Sequence, residues 1–404
     1  MAVDVAPEHG SLMGPSARVA LVTCAGFPDL WEDDHPLRDA LRERGVVVDA
    51  VRWDDPAADW SVYDLTVIRS PWDYMNHHER FLSWARSVPR LANPADIVEW
   101  NTDKRYLSEL AAAGIPIIPT EFVGPDAVGS RAAGPASLGS IAGDSAAVGS
   151  GAAGSGALGS GALGSGALGS GALGSGALGS GALGSGALGS GALGSGALGS
   201  GALGSGALGS GALGSGALGS GALGSGAAWT PPAAGEWVVK PTVSAGSRDT
   251  ARYLMPEQSG AAAAHVRRLT GSGRTAMIQP YLSAVDTAGE TAVLCTPDAD
   301  GELTFSHGIR KGPMLTARGD VPVDMNDEQI TPRTPSEAEL DLAARVLEFV
   351  PGGAKRLLYA RVDLIPGPDG APMLIELELT EPSLFLLHAP GAASRLADAI
   401  LSRI

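Results

Sequence analysis

The sequence has few cysteines, few basic residues and no long hydrophobic run, and each shortage excludes a type of structure or of binding partner. It has only two cysteines, Cys24 and Cys295, which lie far apart and in no metal-ligand spacing. A disulfide framework or a cysteine metal site is therefore not expected, and the usage suits a reducing cytoplasm. Basic residues are also scarce, 28 Lys and Arg against 44 Asp and Glu, which gives a net charge of −16. Nucleic acid and anionic membranes are poor partners for such a chain.

Long hydrophobic runs are missing as well. The longest uncharged stretch carries one Leu in every five residues among Gly, Ser and Ala, which is too polar for a membrane span. Residues 1–16 contain acids, His and Pro, without a basic segment followed by an apolar one. We therefore expect a flexible tail there, no signal peptide, and a cytoplasmic protein.

About a quarter of the chain is a repeat. Gly-Ala-Leu-Gly-Ser recurs without deviation over residues 156–225, and imperfect copies extend the insertion to 129–228. A period of five fits neither a helix nor a strand, so we predict a disordered tether, with a silk-like or β-solenoid stack as the alternative. Gly154–Gly159 matches G-x-G-x-x-G, but no strand and helix flank it, so it does not indicate a dinucleotide site.

The remaining residues are numerous enough for several lobes. Residues 17–98 alternate strands and helices, which predicts a small parallel α/β domain. We expect residues 99–128 and 229–282 to form a second lobe, and residues 283–404 a third that holds a metal site. In the first domain, strands are expected at 18–24, 46–51 and 65–70, and helices at 36–44 and 77–86.

Three carboxylates are expected to converge on a β-hairpin near the C-terminus. Asp363 lies on its first strand, and Glu376 and Glu378, two residues apart on the second, share a face. Gly367–Gly370 is a strong turn signal, and centring the turn there places Asp363 opposite Leu374, on the glutamate side. Converging carboxylates repel one another unless a cation lies between them, so we predict a Mg²⁺ site. A solvated acidic sheet face is the alternative.

Two lysines are placed where phosphate could bind. Lys240 ends the predicted strand 236–241 and precedes a small, flexible loop whose N–H groups and hydroxyls could reach phosphate oxygens. Lys104 is expected in the first turn of a helix capped by Asn101–Asp103, where a cation is unfavourable unless a phosphate lies nearby. The alternatives are an ordinary turn and a solvated lysine.

Further downstream, a strand at 276–279 runs into a Gln-Pro-Tyr-Leu junction that could present backbone groups to an adenine, and Glu290 follows as an acid for ribose hydroxyls. Arg310 and Lys311 then put two cations side by side in an acidic chain. They could neutralise a transferring phosphoryl group or an acyl phosphate, or they could mark a surface turn.

Taken in this order, the parts resemble the ATP-grasp superfamily, whose members include glutathione synthetase and D-alanine–D-alanine ligase. The resemblance runs from about residue 17 to the end, apart from the repeat. It implies α/β (α+β) ATP-grasp lobes behind an N-terminal parallel α/β pre-ATP-grasp domain. It also implies an ADP-forming ligase that uses ATP and two Mg²⁺ ions and joins a carboxylate to an amine through an acyl phosphate.

The resemblance also implies roles for particular residues. Arg310, with Lys311, would stabilise the transition state. Asp363, Glu376 and Glu378 would be the Mg²⁺ ligands, although the family usually has Asn at the position of Glu378. The residues that would bind ATP are Lys104, Lys240, Ser244, Ala245, Gly246, Ser247, Gln279, Pro280, Tyr281, Leu282 and Glu290.

Several stretches are more closely similar to the ligases that cyclise O-ureido-serine to cycloserine in antibiotic biosynthesis. They are residues 69–74, 100–104, 244–250, 285–291 and 376–384. The similarity implies a small amino-acid-like substrate and is compatible with a homo-oligomer. Weaker candidates for substrate contact are Trp72, Asp73, Tyr74, Arg361 and Ser383. The alternative function is a catalytically silent ATP-binding scaffold tethered by the repeat.

Overall fold

The amino-terminal residues form a parallel α/β layer, as their alternation predicts. The computed structural model describes residues 16–125, 130–132, 157–158, 163–164, 177–178, 183–184, 229–315, 317–319 and 328–404. The first four strands run parallel in the order β2-β1-β3-β4. The elements of this part are β1 Arg18–Thr23, α1 His35–Glu43, β2 Val47–Arg52, β3 Leu65–Ser70, α2 His78–Ser87, β4 Leu91–Ala92, α3 Ala95–Thr102 and α4 Tyr106–Ala112.

The hydrophobic pattern of the central strands explains this layer. All six residues of β3 are buried, and so are five of the six in β1. Strands that are apolar on both faces are typical of a parallel sheet covered by helices on both sides. The predicted strands and helices of this domain are confirmed to within about two residues at each end.

The chain divides into two compact units. The first contains Met1–Ile118, Thr242–Thr250 and Tyr281–Ile404, and the second contains Pro119–Pro241 and Ala251–Pro280. Within the described residues, no helix combines the length and the hydrophobicity needed to cross a membrane.

The second unit begins with strands β5 Thr120–Val123 and β6 Ser130–Ala132, which lead into the repeat. Within the repeat, the structure describes four two-residue strands in two parallel pairs: β7 Ala157–Leu158 with β9 Ala177–Leu178, and β8 Leu163–Gly164 with β10 Leu183–Gly184. The remainder of 129–228, except β6, lies outside the described residues, so the disordered tether stays a prediction.

After the repeat, the second unit completes an antiparallel sheet of order β12-β11-β13-β5-β6. Its helix buries one face, with Ala262, Val266 and Leu269 against Val239 and Ile278 of the sheet. The added elements are β11 Gly235–Pro241, β12 Ala251–Met255, α5 Ser259–Gly271 and β13 Ala276–Pro280.

The first unit contains a second sheet, antiparallel and of order β16-β15-β14-β17-β18. Helix α7 begins with a complete capping box, in which Ser336 and Glu339 satisfy each other's backbone N–H groups. The elements are α6 Ala284–Thr287, β14 Glu290–Pro297, β15 Leu303–Lys311, β16 Ile330–Pro332, α7 Glu337–Leu347, β17 Ala360–Pro366, β18 Pro372–Glu378 and α8 Ala392–Leu401.

The β17–β18 hairpin contains a bulge that the sequence pattern does not reveal. Its turn lies at Gly367–Gly370 as predicted, but the register shifts between Asp363 and Leu364. Asp363 therefore lies opposite Glu376, and the predicted pairing with Leu374 is wrong. Leu374 pairs with Leu364 instead, because a bulge in β18 takes up one extra residue, and the backbone of Leu374 also bonds with Pro116 and Ile118.

Candidate active site

One face of the hairpin carries three acids and a cation. Asp363 lies opposite Glu376, and Arg361 lies opposite Glu378. Directly opposed residues share a face, so these four side chains project to the same side of the sheet. The intervening pair, Val362 and Leu377, is buried on the other side. The structure thus brings the three predicted carboxylates to one face.

Asp363 is held between two cations. Lys311, at the end of β15, places its Nζ 2.8 Å from Asp363 Oδ2, and Arg361 places its Nε 3.0 Å from Asp363 Oδ1. Lys311 Nζ also lies 2.9 Å from Glu290 Oε2. The structure therefore places Glu290 beside this cation, directly across the β14–β15 ladder.

The two glutamates of β18 each have a cation as well. Lys104 Nζ lies 3.0 Å from Glu376 Oε1, and the guanidinium of Arg361 bonds to Glu378 as well as to Asp363. Both glutamates remain partly exposed, whereas Asp363 and the two cations are buried. The result is an alternating network of charges with two carboxylates facing outward.

Crowding of like charges shows in the pKa values. Burial raises the pKa of the Glu378 carboxyl to about 8, and repulsion by Glu376 and Asp363 adds to this, while Arg361 opposes it. Burial also works against ionisation of Asp363, yet Arg361 and Lys311 hold its pKa below the usual value. A further positive charge on this face would stabilise the Glu378 carboxylate.

This set of groups fits Mg²⁺ chemically, since hard carboxylate oxygens are the ligands it prefers. In the conformation described, the carboxylates are paired with side-chain cations. Within the described part of the chain, no three His, Cys, Asp or Glu side chains are arranged to hold one ion. Asp363, Glu376 and Glu378 therefore stay predicted ligands that would exchange a side-chain partner for the metal.

Lys104 occupies a turn between two helices. The predicted helix is present as α4, with Tyr106, Leu107 and Leu110 buried, but its predicted start is wrong. Asn101 and Thr102 end α3, and α4 begins at Tyr106. Asn101 instead uses its side-chain amide to bond the backbone of Leu377 and Leu379. Its helix-capping role is thus replaced by a tertiary contact.

The small loop after β11 is tied to the same lysine. Lys104 N–H donates to Thr242 O at 3.0 Å, and Lys104 Nζ lies 2.9 Å from Ser244 O. Gly246 and Ser247 adopt positive φ angles of 60° and 54°. Such left-handed backbone turns successive N–H groups toward one side, which suits an anion. The loop thus combines a cation with exposed amide groups in the first unit.

Other predicted nucleotide contacts belong to the second unit. Lys240 lies on β11 across from Met277, and Trp237 lies across from Pro280. The side chain of Gln279 is buried and donates to Thr120 Oγ1 at 2.9 Å. The Gln279 side chain therefore has a structural partner, which leaves backbone groups as its means of contacting an adenine.

Tyr281 and Leu282 follow in the first unit. The Tyr281 hydroxyl donates to Asp286 at 2.5 Å, and Leu282 packs partly buried beside Val285. Both lie in the short connection before α6.

Arg310 lies apart from the carboxylates. Its Nε donates to Ala288 O at 2.8 Å and its Nη2 to Thr287 O at 3.1 Å. The guanidinium thus fastens the turn before β14, where Gly289 has φ 72°. A side chain at Gly289 would meet Lys311 O at 2.5 Å and Arg310 Nε at 2.9 Å, so the turn and the arginine are packed closely.

The weaker substrate candidates fall into two groups. Trp72 donates from Nε1 to Glu381 O at 3.1 Å, and Asp73 accepts from Trp53 Nε1 at 2.7 Å. Tyr74 is 2% exposed and its hydroxyl interacts with the Glu381 carboxylate.

The second group consists of Arg361 and Ser383, and Arg361 Nη1 donates a hydrogen bond of 3.0 Å to Ser383 O.

Sequence reasoning missed Glu381 as a site residue. Its place three residues after Glu378 was the available signal, but the strand ends at Glu378, so strand alternation no longer predicts where Glu381 points.

Comparisons with known proteins agree with this architecture. Residues 19–93 match the family described as D-cycloserine synthetase DcsG, N-terminal domain. The chain is 29% identical over 393 residues to the cycloserine biosynthesis protein DcsG of Streptomyces lavendulae, covering 96% of this chain and 98% of that protein.

Solved structures of known ligases also match this chain in fold. The crystal structure of D-cycloserine synthetase DcsG matches with a TM-score of 0.63 at 29% identity, covering 96% of this chain and 99% of that one. D-alanyl-alanine synthetase A from Vibrio cholerae O1 biovar eltor str. N16961 shares the fold, with a TM-score of 0.51 at 12% identity, covering 96% and 97%. The chain has the fold of the ATP-grasp ligases and is an ATP-dependent ligase. Among them it is similar to the D-cycloserine synthetase DcsG.

Proposed function

We propose that the protein joins a carboxylate to an amine through an acyl phosphate, on a small amino-acid-like substrate. The supporting observation is the hairpin face, where Asp363, Glu376 and Glu378 lie within reach of Lys104, Lys311 and Arg361. Paired acids and cations on one rigid sheet suit a reaction in which phosphate charge must be bound and then moved.

In the proposed reaction, a carboxylate oxygen of the substrate attacks the γ-phosphorus of ATP and ADP leaves. The nitrogen nucleophile then attacks the acyl carbon and inorganic phosphate departs, which forms the carbon–nitrogen bond. Both steps pass through species rich in negative charge. Fixed cations beside those charges lower the barrier because they need not reorganise during the reaction.

We assign phosphate binding to Lys104 and to the loop from Ser244 to Ser247. The 2.9 Å contact between Lys104 Nζ and Ser244 O supports this, since it places the lysine beneath the loop. Lys240, the backbone of residues 279–282 and Glu290 complete the proposed ATP contacts. The Glu290 assignment is narrowed by its contact with Lys311, which favours a role near phosphate over one at the ribose.

Asp363, Glu376 and Glu378 would hold Mg²⁺, with two ions proposed. When bound, the metal would neutralise phosphate oxygens and shield the like charges of these carboxylates. Lys311 and Arg361 are then released from part of their ion pairing and are placed to bind the transferring phosphoryl group. Arg310 is proposed to assist from the neighbouring position, at the cost of its bonds to the turn at Thr287 and Ala288.

The proposed substrate is O-ureido-serine, and the proposed reaction is its cyclisation to cycloserine. In this reaction the carbamoyl group on the attacking nitrogen is removed by water and leaves as carbon dioxide and ammonia. Similarity to DcsG across nearly the full length of both chains supports this choice. The test is ADP release by the purified protein with ATP and Mg²⁺ against a panel of carboxylates, with and without amines, that includes O-ureido-serine. ADP release and cycloserine formation with that substrate alone are expected. ADP release only with an intermolecular carboxylate–amine pair would replace cyclisation by ligation, and none with any substrate would contradict the proposal.

A further inference from the structure

Residues 377–384, which comprise the last two residues of β18 and the segment that follows it, are held by an unusual number of side chains. Seven of these eight residues have a carbonyl oxygen that accepts a hydrogen bond from a side chain of another element. The acceptors and their donors are Leu377 (Asn101 and Tyr106), Leu379 (Asn93), Thr380 (Tyr359), Glu381 (Trp72), Pro382 (Arg69), Ser383 (Arg361) and Leu384 (His307).

The donors themselves are anchored. Arg69 is 1% exposed and pairs with buried Asp34 at 2.8 Å, and Tyr359 is fully buried beneath it. Each such hydrogen bond contributes on the order of 1 kcal/mol to the native state. Together they fix residues 379–384, which are neither helix nor strand, to the end of β18, as is required where side chains must be presented in one geometry.

Glu381 projects from the middle of this segment and differs from the other acids nearby. Asp363, Glu376, Glu378 and Glu290 each have a Lys or Arg at ion-pair distance. Among the residues described, Glu381 takes part in no ion pair, and its carboxylate interacts with the hydroxyl of Tyr74. The side chain is partly exposed, so a ligand could reach it.

The surroundings of Glu381 make an unpaired anion unfavourable. Burial raises the pKa of its carboxyl to about 7, against the hydrogen bond from Tyr74 and the charge of Lys104, while Glu376 adds to the increase. A carboxylate in such a place is stabilised by a cation that brings its own charge and donors. The protein supplies cations to the neighbouring acids and leaves this one to a ligand.

Aromatic rings next to this position favour the same kind of ligand. Trp72, whose indole N–H holds the Glu381 carbonyl, packs against Phe27 and Trp31 with ring centroids 5.3 Å and 5.6 Å away. Phe27 and Trp31 are partly exposed. Faces of such rings attract ammonium groups, and the Trp72 indole is fixed to Glu381 through the backbone carbonyl of that residue.

We propose that Glu381 and Tyr74 bind the ammonium group of the substrate, which makes the substrate a free amino acid and not a simple carboxylic acid. This inference rests on the proposed function, since it takes the adjacent hairpin face as the place where the substrate carboxylate reacts. Lys104 connects the hairpin face with Glu381, because it pairs with Glu376 and its charge also acts on the Glu381 carboxylate.

The test compares O-ureido-serine with its desamino analogue, 3-(ureidooxy)propanoate, which keeps the carboxylate and the ureido group. Binding is measured by calorimetry on the full chain with Mg²⁺ and a non-hydrolysable ATP analogue, and turnover by ADP release. For wild type, tighter binding of the amino form is expected. Glu381→Gln should weaken binding of the amino form about 10- to 100-fold, the effect of losing a hydrogen bond to a charged group, and leave the desamino form unchanged.

Two further variants sharpen the result. Tyr74→Phe keeps the ring, is expected to act in the same direction but more weakly, and carries the test if Glu381→Gln does not fold. Glu79→Gln changes an exposed glutamate and is the matched control. Equal weakening for both ligands in Glu381→Gln would show a structural role, and equal wild-type affinity for both would also overturn the inference. Preferential binding of the amino form without ADP release would refute the proposed function while supporting the ammonium site.

Discussion

The ammonium group of Lys104 lies 3.0 Å from the carboxylate of Glu376, in a position where both are largely removed from water. The same ammonium contacts Ser244 O, so one lysine joins the metal-site strand to the phosphate-binding loop. Its burial works against the charge, but Glu376 more than compensates and raises the Lys104 pKa above the usual value. The lysine is therefore a permanent cation that the site keeps ready for an anionic ligand.

Lys104→Met should weaken ATP binding about 10- to 100-fold, because a charge-assisted contact to phosphate is lost. It should also lower stability, since Glu376 loses the charge of Lys104. The KM for ATP and the free energy of unfolding measure the two effects. Lys355→Met, which removes a lysine whose side chain is 76% exposed, is the control.

The double variant Lys104→Met/Glu376→Gln separates the two effects of that change. It should recover most of the lost stability, because the Glu376 charge that Lys104 neutralised is removed as well, but none of the ATP affinity. Recovery of affinity in the double variant would mean that Lys104 acts only by neutralising Glu376.

Glu376→Ala should abolish Mg²⁺-dependent ADP release and leave the fold intact, because Glu376 lies at a partly exposed edge of the carboxylate face. Ca²⁺ and Mg²⁺ titrations followed by ADP release give the measurement, with circular dichroism as the check on folding. Glu302→Ala, at an exposed turn position, is the matched control. An unchanged rate in Glu376→Ala would refute the metal assignment.

Much of this site could be predicted from sequence because strand alternation is a strong signal. Two glutamates separated by one leucine must share a face wherever the strand pairs, so their convergence did not depend on the exact register. The pairing of Asp363 with Glu376 could not be predicted, since it depends on a bulge. Leu374, next to that bulge, also bridges to Ile117 from more than 250 residues away in the chain, a contact that strand alternation does not report.

The misplaced helix start at Asn101 has a similar physical origin. Asn-Thr-Asp is a good capping sequence, and local propensity favours a helix there. In the fold, the Asn101 amide satisfies Leu377 and Leu379 at the edge of β18, which is worth more than a cap that water could replace. Local patterns cannot report a partner that only the tertiary structure brings close.

Arg310→Lys should destabilise the protein by about 1–2 kcal/mol, since the guanidinium makes two hydrogen bonds to carbonyls that an ammonium cannot reproduce together. Urea unfolding measures this, and Arg86→Lys, on the surface pair with Glu99, should change little. The kcat measured alongside tests the proposed catalytic role. A decrease in kcat above about 100-fold in a folded variant would support contact with the transferring phosphoryl group. A loss of stability with normal kcat would mean that Arg310 only positions the turn.

Stability below neutral pH should depend on Glu339, which forms the capping box of α7 with Ser336. Burial works against its ionisation, but hydrogen bonds from Thr291 and Ser336, with the charge of Arg333, lower its pKa below the usual value. The unfolded chain therefore binds the proton more tightly than the folded one. This contribution is fully present above the unfolded pKa of about 4.3 and is lost as the pH falls through the folded value.

Glu339→Gln should therefore be less stable than wild type at pH 7, and the difference should shrink as the pH falls from about 5 to about 3. Urea unfolding across that range gives the measurement. Glu348→Gln, which changes an exposed residue at the other end of the same helix, should run parallel to wild type. If the plot of unfolding free energy against pH for Glu339→Gln also ran parallel to wild type, the ionised carboxylate would be stabilised equally in the folded and unfolded chains. The capping box would then act through its hydrogen-bond geometry alone.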